Sequence, residues 1–196
     1  MKGYIYIASA FETVNRSICG RHGSWVDNDP HYWSDPPTWG ICRNDLRADA
    51  KKGDVVFFVL PRQGRYPQTI FGYLTIEKVV THATAYHIPS LVSKRMGDKE
   101  PNGNIIVDAQ GRYNEYDGGV HQHQFARIAR RYAIGDPSRS RMLTDTQLRK
   151  KAPTFLPTLI SVLGKTGARP IDVITRRGAK LAPLQVHQLM RWLNAP

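Results

Sequence analysis

A run of almost uniformly apolar residues, VVFFVL at positions 55–60, constrains the fold more than any other segment of the chain. It is short, rich in β-branched and aromatic residues, and preceded by the turn sequence KKGD at 51–54, so it predicts a strand. Because polar residues do not alternate with the apolar ones, we expect both faces of this strand to be buried. Residues 61–68 predict a polar loop, and residues 69–80 predict the second half of a hairpin, with Gly72 marking a bulge.

Hydrophobic periodicity predicts further strands and helices. Alternating aromatic and aliphatic residues predict an opening strand at 3–9, and weaker patterns predict strands at 105–107 and 121–133. Helices are predicted at 44–50, with Asn44 as the capping residue, at 153–164, and from Pro183 onwards. One face of the last helix carries Val186, Leu189, Met190 and Leu193.

Short strands joined by long loops, with helices at the ends, predict an α+β fold. The expected architecture is a curved mixed sheet or a small β-barrel, with flanking helices and a C-terminal helix.

The charge of the chain indicates its class of partner. Lys and Arg number 28 against 16 Asp and Glu, so the formal net charge is +12. Such a surplus favours a polyanion, because each cation that neutralises a phosphate releases condensed counterions. A basic protein without such a partner is the alternative. Few acids accompany the basic residues of 127–151, so we expect contacts there to the phosphates of DNA or RNA. The predicted nucleic-acid-binding residues are Arg127, Arg130, Arg131, Arg139, Arg141, Lys150 and Lys151.

Cysteine usage and hydropathy indicate the compartment. The two cysteines, Cys19 and Cys42, are too few for a disulfide framework in a chain of this length. The first residues are typical of a strand and not of a signal peptide, and no segment approaches the roughly 20 apolar residues of a membrane span. We therefore expect a cytoplasmic protein with no membrane association. No P-loop, GxGxxG, GxSxG or HExxH motif occurs, which argues against nucleotide hydrolysis, Rossmann cofactor use and zinc proteolysis, and we expect no cofactor.

Four stretches of roughly the first 80 residues resemble one known family. They are YIY at 4–6, TWGICRNDLR at 38–47, AKKGDVVFF at 50–58 and FGYL at 71–74. Together they resemble the nucleotide-modification-associated domains, a PUA-like group linked to DNA base hypermodification in phages and bacteria. The resemblance implies a PUA-like domain for nucleic acid or a modified base, which we assign to residues 1–150. The helices predicted at 153–164 and from Pro183 make residues 151–196 a helical C-terminal extension packed on the same domain. It also implies partners among the other proteins of a DNA modification system.

Cys42 and Asp45 form the candidate catalytic pair, since they lie three positions apart at the start of a predicted helix and can face the same side. A helix N-terminus lowers the pKa of a thiol, and Arg43 and Arg47 would further favour the thiolate. Such a nucleophile could attack an electrophilic carbon, for example a nitrile or an activated ring position on a modified base. Alternatively, Cys42 is a small buried apolar residue and Asp45 is only a charge at the helix start.

The long irregular segment at 10–39 is rich in aromatic residues, with Trp39 at its end. A base flipped out of a duplex needs stacking surfaces, and His31 and Asp35 could hydrogen-bond its edge. Alternatively, the rings anchor the loop to the core by burial. The predicted substrate-binding residues are Trp25, Tyr32, Trp33, Trp39, Arg43 and Arg47.

Histidines and cysteines offer two further hypotheses. Cys19, His22, His31 and Cys42 could bind zinc, but only the first pair has the tight spacing of structural zinc sites, so no metal is expected. His121 and His123 lie on one face of a predicted strand and could be a general base, a phosphate contact or solvated polar residues.

The leading interpretation is a DNA-modification-system protein that binds nucleic acid, accommodates an unusual base in an aromatic pocket and alters it chemically. The reaction that these residues could perform is hydration of a cyano-type deazapurine in DNA, with Cys42 forming a thioimidate. Such a protein would be a nucleobase-modifying hydrolase or transferase. Two alternatives stay open: a non-catalytic PUA-like reader of a modified base in a restriction or defence system, and a protein-interaction subunit.

Overall fold

A mixed β-sheet organises the chain, as seen in a computed structural model that describes residues 1–8, 29–31, 35–60, 68–97, 103–175 and 177–195. Its strands are β1 (Gly3–Ile7), β2 (Thr38–Trp39), β3 (Val55–Val59), β4 (Ile70–Val80), β5 (Tyr132–Gly135), β6 (Arg141–Met142) and β7 (Ala179–Leu181). Their order is β2-β5-β4-β3-β1-β7, and β6 pairs with β4 beside this path. The β1–β3 pair is parallel and the other pairs are antiparallel. The expected α+β class and mixed sheet are confirmed, whereas the barrel alternative is wrong, because the sheet of the described residues stays open.

Strand β3 lies inside the sheet, as its apolar run predicts. Each residue of Val55–Val59 is buried, with β1 on one side and β4 on the other. The β3–β4 register shifts at Phe58 and Val59, next to the partner residue Gly72, where a bulge was expected. A Cβ at Gly72 would lie 2.4 Å from the sulfur of Met142, so the absence of a side chain lets β6 approach β4 closely.

The helices are α1 (Asn44–Arg47), α2 (His82–Tyr86), α3 (Phe125–Ile128), α4 (Asp145–Leu163), α5 (Pro170–Ile174) and α6 (Pro183–Asn194). Short 3₁₀ helices cover Pro89–Lys94, Glu115–Asp117 and Gln122–Gln124. The helix from Pro183 is confirmed, with Val186, Leu189 and Leu193 buried against the main core.

Helix α4 begins earlier than the predicted helix at 153–164. The Thr144 hydroxyl and the Gln147 side chain form a capping box, and Gly164 ends the helix in the left-handed conformation. Pro153 and Pro157 lie inside this helix. Position 150, the expected domain boundary, therefore falls within α4.

Three local expectations are wrong. Residues 121–133 were expected to form a strand, but they contain a 3₁₀ turn, α3 and only the start of β5. Phe125 and Ile128 are one helical turn apart and pack together against Ile41, which favours helix over strand. Asn44 was expected to cap a helix at 44–50, but the cap is Arg43, with a left-handed φ of 53°, and α1 is a single turn of four residues. Residues 105–107 take part only in isolated bridges, to Arg95 and Tyr113.

Candidate functional site

A buried carboxylate holds the segment between Trp39 and Cys42. Asp29 is 7% exposed, and its Oδ1 accepts hydrogen bonds from Gly40 N–H (2.6 Å) and from the amide of Asn104 (3.0 Å). Its Oδ2 accepts one from Cys42 N–H. Burial raises the pKa of Asp29, while the charge of Arg47 and the backbone N–H groups of residues 40–42 oppose that rise. The position of Cys42 therefore depends on a residue that no sequence pattern singled out.

The polar network around Asp29 extends through Asn104 to Tyr132 and Thr38, and His82 binds the same segment. The Tyr132 hydroxyl donates to Asn104 Oδ1 (2.6 Å), and Asn104 Nδ2 donates to Thr38 Oγ1 (3.0 Å). His82 accepts from Ile106 N–H through Nδ1 (3.3 Å), so Nε2 carries the proton and donates to the Gly40 carbonyl (2.9 Å). Burial lowers the pKa of His82 to about 3. This network holds the segment from Thr38 to Cys42 through buried hydrogen bonds.

Trp39, a predicted stacking residue, is a core residue with 0% exposure. Its ring stacks on Tyr6 with centroids 6.0 Å apart, and the Arg47 guanidinium lies 5.6 Å from its centroid. The indole N–H is buried and has no hydrogen-bond partner among the described residues. The ring therefore presents no face to a base in this conformation.

Arg47, a predicted substrate-binding residue, is 1% exposed and holds backbone carbonyls. Its Nε donates to the carbonyl of Arg131 (2.9 Å) and its Nη1 donates to that of Cys42 (2.7 Å). Burial lowers its pKa, against the opposing effect of Asp29. Its Nη2, like the Tyr6 hydroxyl, is buried without a partner in the described part of the chain. Burial also raises the pKa of Tyr6 well above its ordinary value, and Cys42 and Asp29 add to this effect.

Cys42 is partly exposed and comes just before α1. The helix predicted at 44–50 behind the thiol is only a single turn, Asn44–Arg47. The carboxylate of Asp45 accepts hydrogen bonds from Arg43 Nε (3.1 Å) and Nη2 (2.6 Å). Arg43 also donates to the carbonyl of Arg177. Both Arg43 and Asp45 thus take part in contacts that hold the entrance to α1.

Several predicted residues fall elsewhere. Trp25, Tyr32, Trp33, Cys19 and His22 lie outside the described residues. His31 is 8% exposed and bridges Thr38 through the backbone, and Asp35 is exposed. Among the described residues, no group of three or more His, Cys, Asp or Glu side chains is placed to hold a metal ion.

The predicted basic residues divide into surface groups and structural groups. Arg127, Arg130, Arg139 and Lys150 are exposed. The guanidinium of Arg131 donates to the carbonyls of Arg47 (3.0 Å) and Ala50, and that of Arg141 donates to Asn194. Lys151 is 7% exposed and donates to the carbonyls of Trp192 (2.6 Å) and Ala195 (2.8 Å).

Two adjoining depressions gather exposed cations from distant parts of the chain. One, of about 470 Å³, is lined by Lys51, Lys52, Lys78, Arg130 and Arg131, with Glu77 as its acid. The other, of about 330 Å³, is lined by His123, Gln124, Arg127 and Arg130. We define the Arg130 surface as the exposed cations Lys51, Lys52, Lys78, Arg127 and Arg130. Its three lysines were not among the predicted nucleic-acid-binding residues; the sheet and the KKGD turn bring them beside the arginines.

The Arg130 surface adjoins the Cys42 segment. Gln124, which lines the second depression, accepts a hydrogen bond from the side chain of Asn44 (2.7 Å), two residues after Cys42. Arg131 supplies a second connection, because its guanidinium binds the carbonyls of Arg47 and Ala50. The Arg130 surface therefore lies close to α1.

His121 has a defined partner. Its Nδ1 lies 2.7 Å from Asp117 Oδ1, and its backbone N–H donates to Asp117 Oδ2 (2.7 Å). The Tyr113 hydroxyl also donates to Asp117. His123 lies on the second depression and contacts Gln124. The two histidines thus differ in environment, and they lie on a 3₁₀ turn and its cap instead of a strand.

None of the helices in the described ranges has the length and apolarity needed to cross a membrane. Comparisons of the chain with protein-family models, curated proteins and solved structures gave no match.

Proposed function

We propose that the protein binds nucleic acid as part of a DNA modification system, holding the phosphate backbone on the Arg130 surface and accommodating an unusual base beside Cys42. The carrying observation is the Arg130 surface itself, where five exposed cations adjoin two connected depressions. Lys and Arg at such a density attract phosphates and release their counterions. The resemblance to nucleotide-modification-associated domains supports the choice of DNA and of a modified base.

The position of Cys42 supports the second half of the proposal. It is partly exposed, its backbone is fixed by the buried Asp29, and it neighbours the Arg130 surface through Asn44 and Gln124. A base extruded from a strand on that surface would reach this segment first. In the enzymatic form of the proposal, the Cys42 thiol adds to the nitrile carbon of the base, and the nitrile nitrogen takes up the proton as one C–N π bond breaks, which gives a thioimidate. Water then adds to that carbon and the C–S bond breaks, which leaves the amide and restores the thiol.

A non-catalytic reader of a modified base is the second candidate. It is favoured by Asp45, whose carboxylate is bound by the guanidinium of Arg43. An acid held in this way is poorly placed to move protons for Cys42. The enzyme and the reader share the Arg130 surface and differ in whether the base is altered.

Binding to a fluorescent oligonucleotide, measured over a range of salt concentrations, tests the proposal. Four to five phosphate contacts predict a slope of log affinity against log salt of about −3 to −4.5. Arg130→Glu should weaken binding at least about tenfold for all sequences alike and make the slope less negative by about 1.

Arg191→Glu is the matched control, since Arg191 is an exposed arginine on α6 that lines a separate depression with Trp192. We expect that variant to bind within about twofold of the wild type. Equal losses in the two variants, or no binding by the wild type at low salt, would overturn the proposal.

A further inference from the structure

Buried hydrogen-bond donors without partners cluster around the Trp39 ring. They are the Tyr6 hydroxyl, the Trp39 indole N–H and the Arg47 Nη2 group, and none has a partner among the described residues. Tyr6 stacks on the indole and the Arg47 guanidinium lies over it, so all three belong to one group of side chains. We define these three groups as the donor cluster.

Such a group is unusual in a folded protein, because nearly all buried polar atoms have a partner. A buried donor without an acceptor loses its hydration and gains nothing in return. An acceptor that reached these atoms would recover that loss, so the cluster is prepared for a ligand that carries acceptor atoms.

The partly exposed Cys42 adjoins the donor cluster. Its carbonyl accepts a hydrogen bond from Arg47 Nη1 (2.7 Å). The charge of Arg47 is offset by the buried carboxylate of Asp29. A neutral acceptor therefore suits the cluster better than an anion, which Asp29 would repel.

We infer that the donor cluster recognises an uncharged carbonyl oxygen on the modifying substituent of the base that lies beside Cys42. This inference rests on the proposed function for the identity of the ligand as a base. The faces of Trp39 are covered, so the cluster reads the edge of the base with its N–H and O–H groups and does not stack on it. Because the donor atoms are fully buried, the base must displace covering groups to reach them.

Tyr6→Phe tests the inference, since it removes one donor and nothing else. The hydroxyl has no partner to lose, so this variant should fold and melt at the wild-type temperature or above it. Tyr4→Phe is a matched control, because Tyr4 lies two residues away on β1 and also has a buried hydroxyl without a partner among the described residues. Among the described contacts, the Trp39 ring stacks on Tyr6 and not on Tyr4.

The probes are 5-formyl-2′-deoxycytidine, whose substituent carries a neutral carbonyl oxygen, and 5-methyl-2′-deoxycytidine, whose substituent has no acceptor; both share the ring carbonyl at C2. Calorimetric titration should show that the wild type prefers the formyl nucleoside by roughly tenfold. Tyr6→Phe should lose most of this preference and Tyr4→Phe should keep it. Equal binding of the two nucleosides by the wild type, or an unchanged preference in Tyr6→Phe, would overturn the inference.

Nucleosides carry no phosphate, so this measurement is separate from that of the Arg130 surface. A protein that discriminates the nucleosides but fails to bind oligonucleotides supports the donor cluster and contradicts the proposed nucleic-acid function. A protein that binds oligonucleotides with a steep salt dependence but does not discriminate the nucleosides supports only the proposed function and overturns the inference.

Discussion

Arg47 and Arg131 each donate a hydrogen bond from Nε to the backbone carbonyl of the other, at 2.9 Å and 3.0 Å. The two residues are 84 positions apart, and this reciprocal pair fastens α1 to the turn before β5. The two guanidinium groups repel each other because both are cationic. Each is nevertheless held in place by its hydrogen bond to the backbone carbonyl of the other residue. The pair is therefore a structural clamp beside the Arg130 surface.

Arg131→Met should lower the free energy of unfolding by about 1–3 kcal/mol, because charged hydrogen bonds to two partly buried carbonyls are lost. Arg130→Met, one residue earlier and exposed, should change stability by less than about 0.5 kcal/mol. Urea unfolding measures both effects. Oligonucleotide binding should respond in the opposite order, weakened in Arg130→Met more than in Arg131→Met. Equal stability of the two variants would show that the clamp is not significant.

Lys151→Met should lower the free energy of unfolding by about 1–3 kcal/mol, because contacts in the C-terminal region are lost. The Lys151 ammonium joins α4 to the end of α6 through the carbonyls of Trp192 and Ala195, and it lies 5.6 Å from the centroid of the Trp192 ring. Burial, together with the charges of Lys150 and Arg141, lowers the pKa of Lys151. Its neighbour Lys150 is exposed, so Lys150→Met is the control and should leave stability nearly unchanged.

Thermal unfolding followed by circular dichroism compares the two lysine variants. We expect Lys151→Met to melt several degrees below Lys150→Met. Nucleic-acid binding should be retained in Lys151→Met, because its ammonium is not available to a phosphate. A large loss of binding without a loss of stability would contradict this assignment.

These adjacent pairs illustrate what the sequence alone can and cannot predict. Strand β3 and helix α6 were predictable, because their apolar residues follow local patterns that burial requires. By contrast, Arg130 and Arg131, or Lys150 and Lys151, look alike in sequence. Their different roles depend on which distant carbonyls lie opposite, and a charge count does not contain this information.

The site shows the same limit. The WGIC segment and Cys42 stood out by resemblance, but Asp29, His82 and Asn104, which fix that segment, come from three separate regions. Tyr6 belonged to the alternating opening strand and to the YIY stretch of the resemblance, but neither pattern identified it as a site residue. The expectation that Trp39 stacks on a base reflects its aromatic type, whereas its burial is set by Tyr6 and Arg47.

Because the pKa of His82 is lowered in the folded protein, we expect the free energy of unfolding to decrease in mild acid. Its pKa is lowered to about 3 in the folded protein, against an unfolded value near 6.5. Below about pH 6.5 the unfolded chain binds a proton at this site and the folded protein does not, so the free energy of unfolding falls with decreasing pH. The contribution is at most about 1.4 kcal/mol per pH unit.

His82→Gln should remove this contribution, because the amide keeps a donor for the Gly40 carbonyl but does not titrate. Urea unfolding between about pH 7 and pH 5 should give a shallower pH dependence for the variant than for the wild type. Parallel curves for the two proteins would mean that His82 can be protonated in the folded state.

Cys42 separates the enzyme from the reader. The thiol of Cys42 is partly exposed, so iodoacetamide should label it in the native protein near neutral pH. A Cys42→Ser variant retains only Cys19, and a Cys19→Ser variant retains only Cys42, so mass spectrometry of the two assigns the label and should show faster modification of Cys42.

If the protein is an enzyme, Cys42→Ser should keep the fold and nucleic-acid binding but abolish turnover, because the hydroxyl stays protonated at neutral pH without a strong base beside it. Asp45→Asn should reduce turnover less, since that carboxylate is bound by Arg43. Nucleosides from the DNA of a host carrying the wild-type or the C42S gene provide the measurement. A base that differs between the two hosts supports the enzyme. Identical bases together with unchanged binding support non-catalytic recognition of a modified base instead.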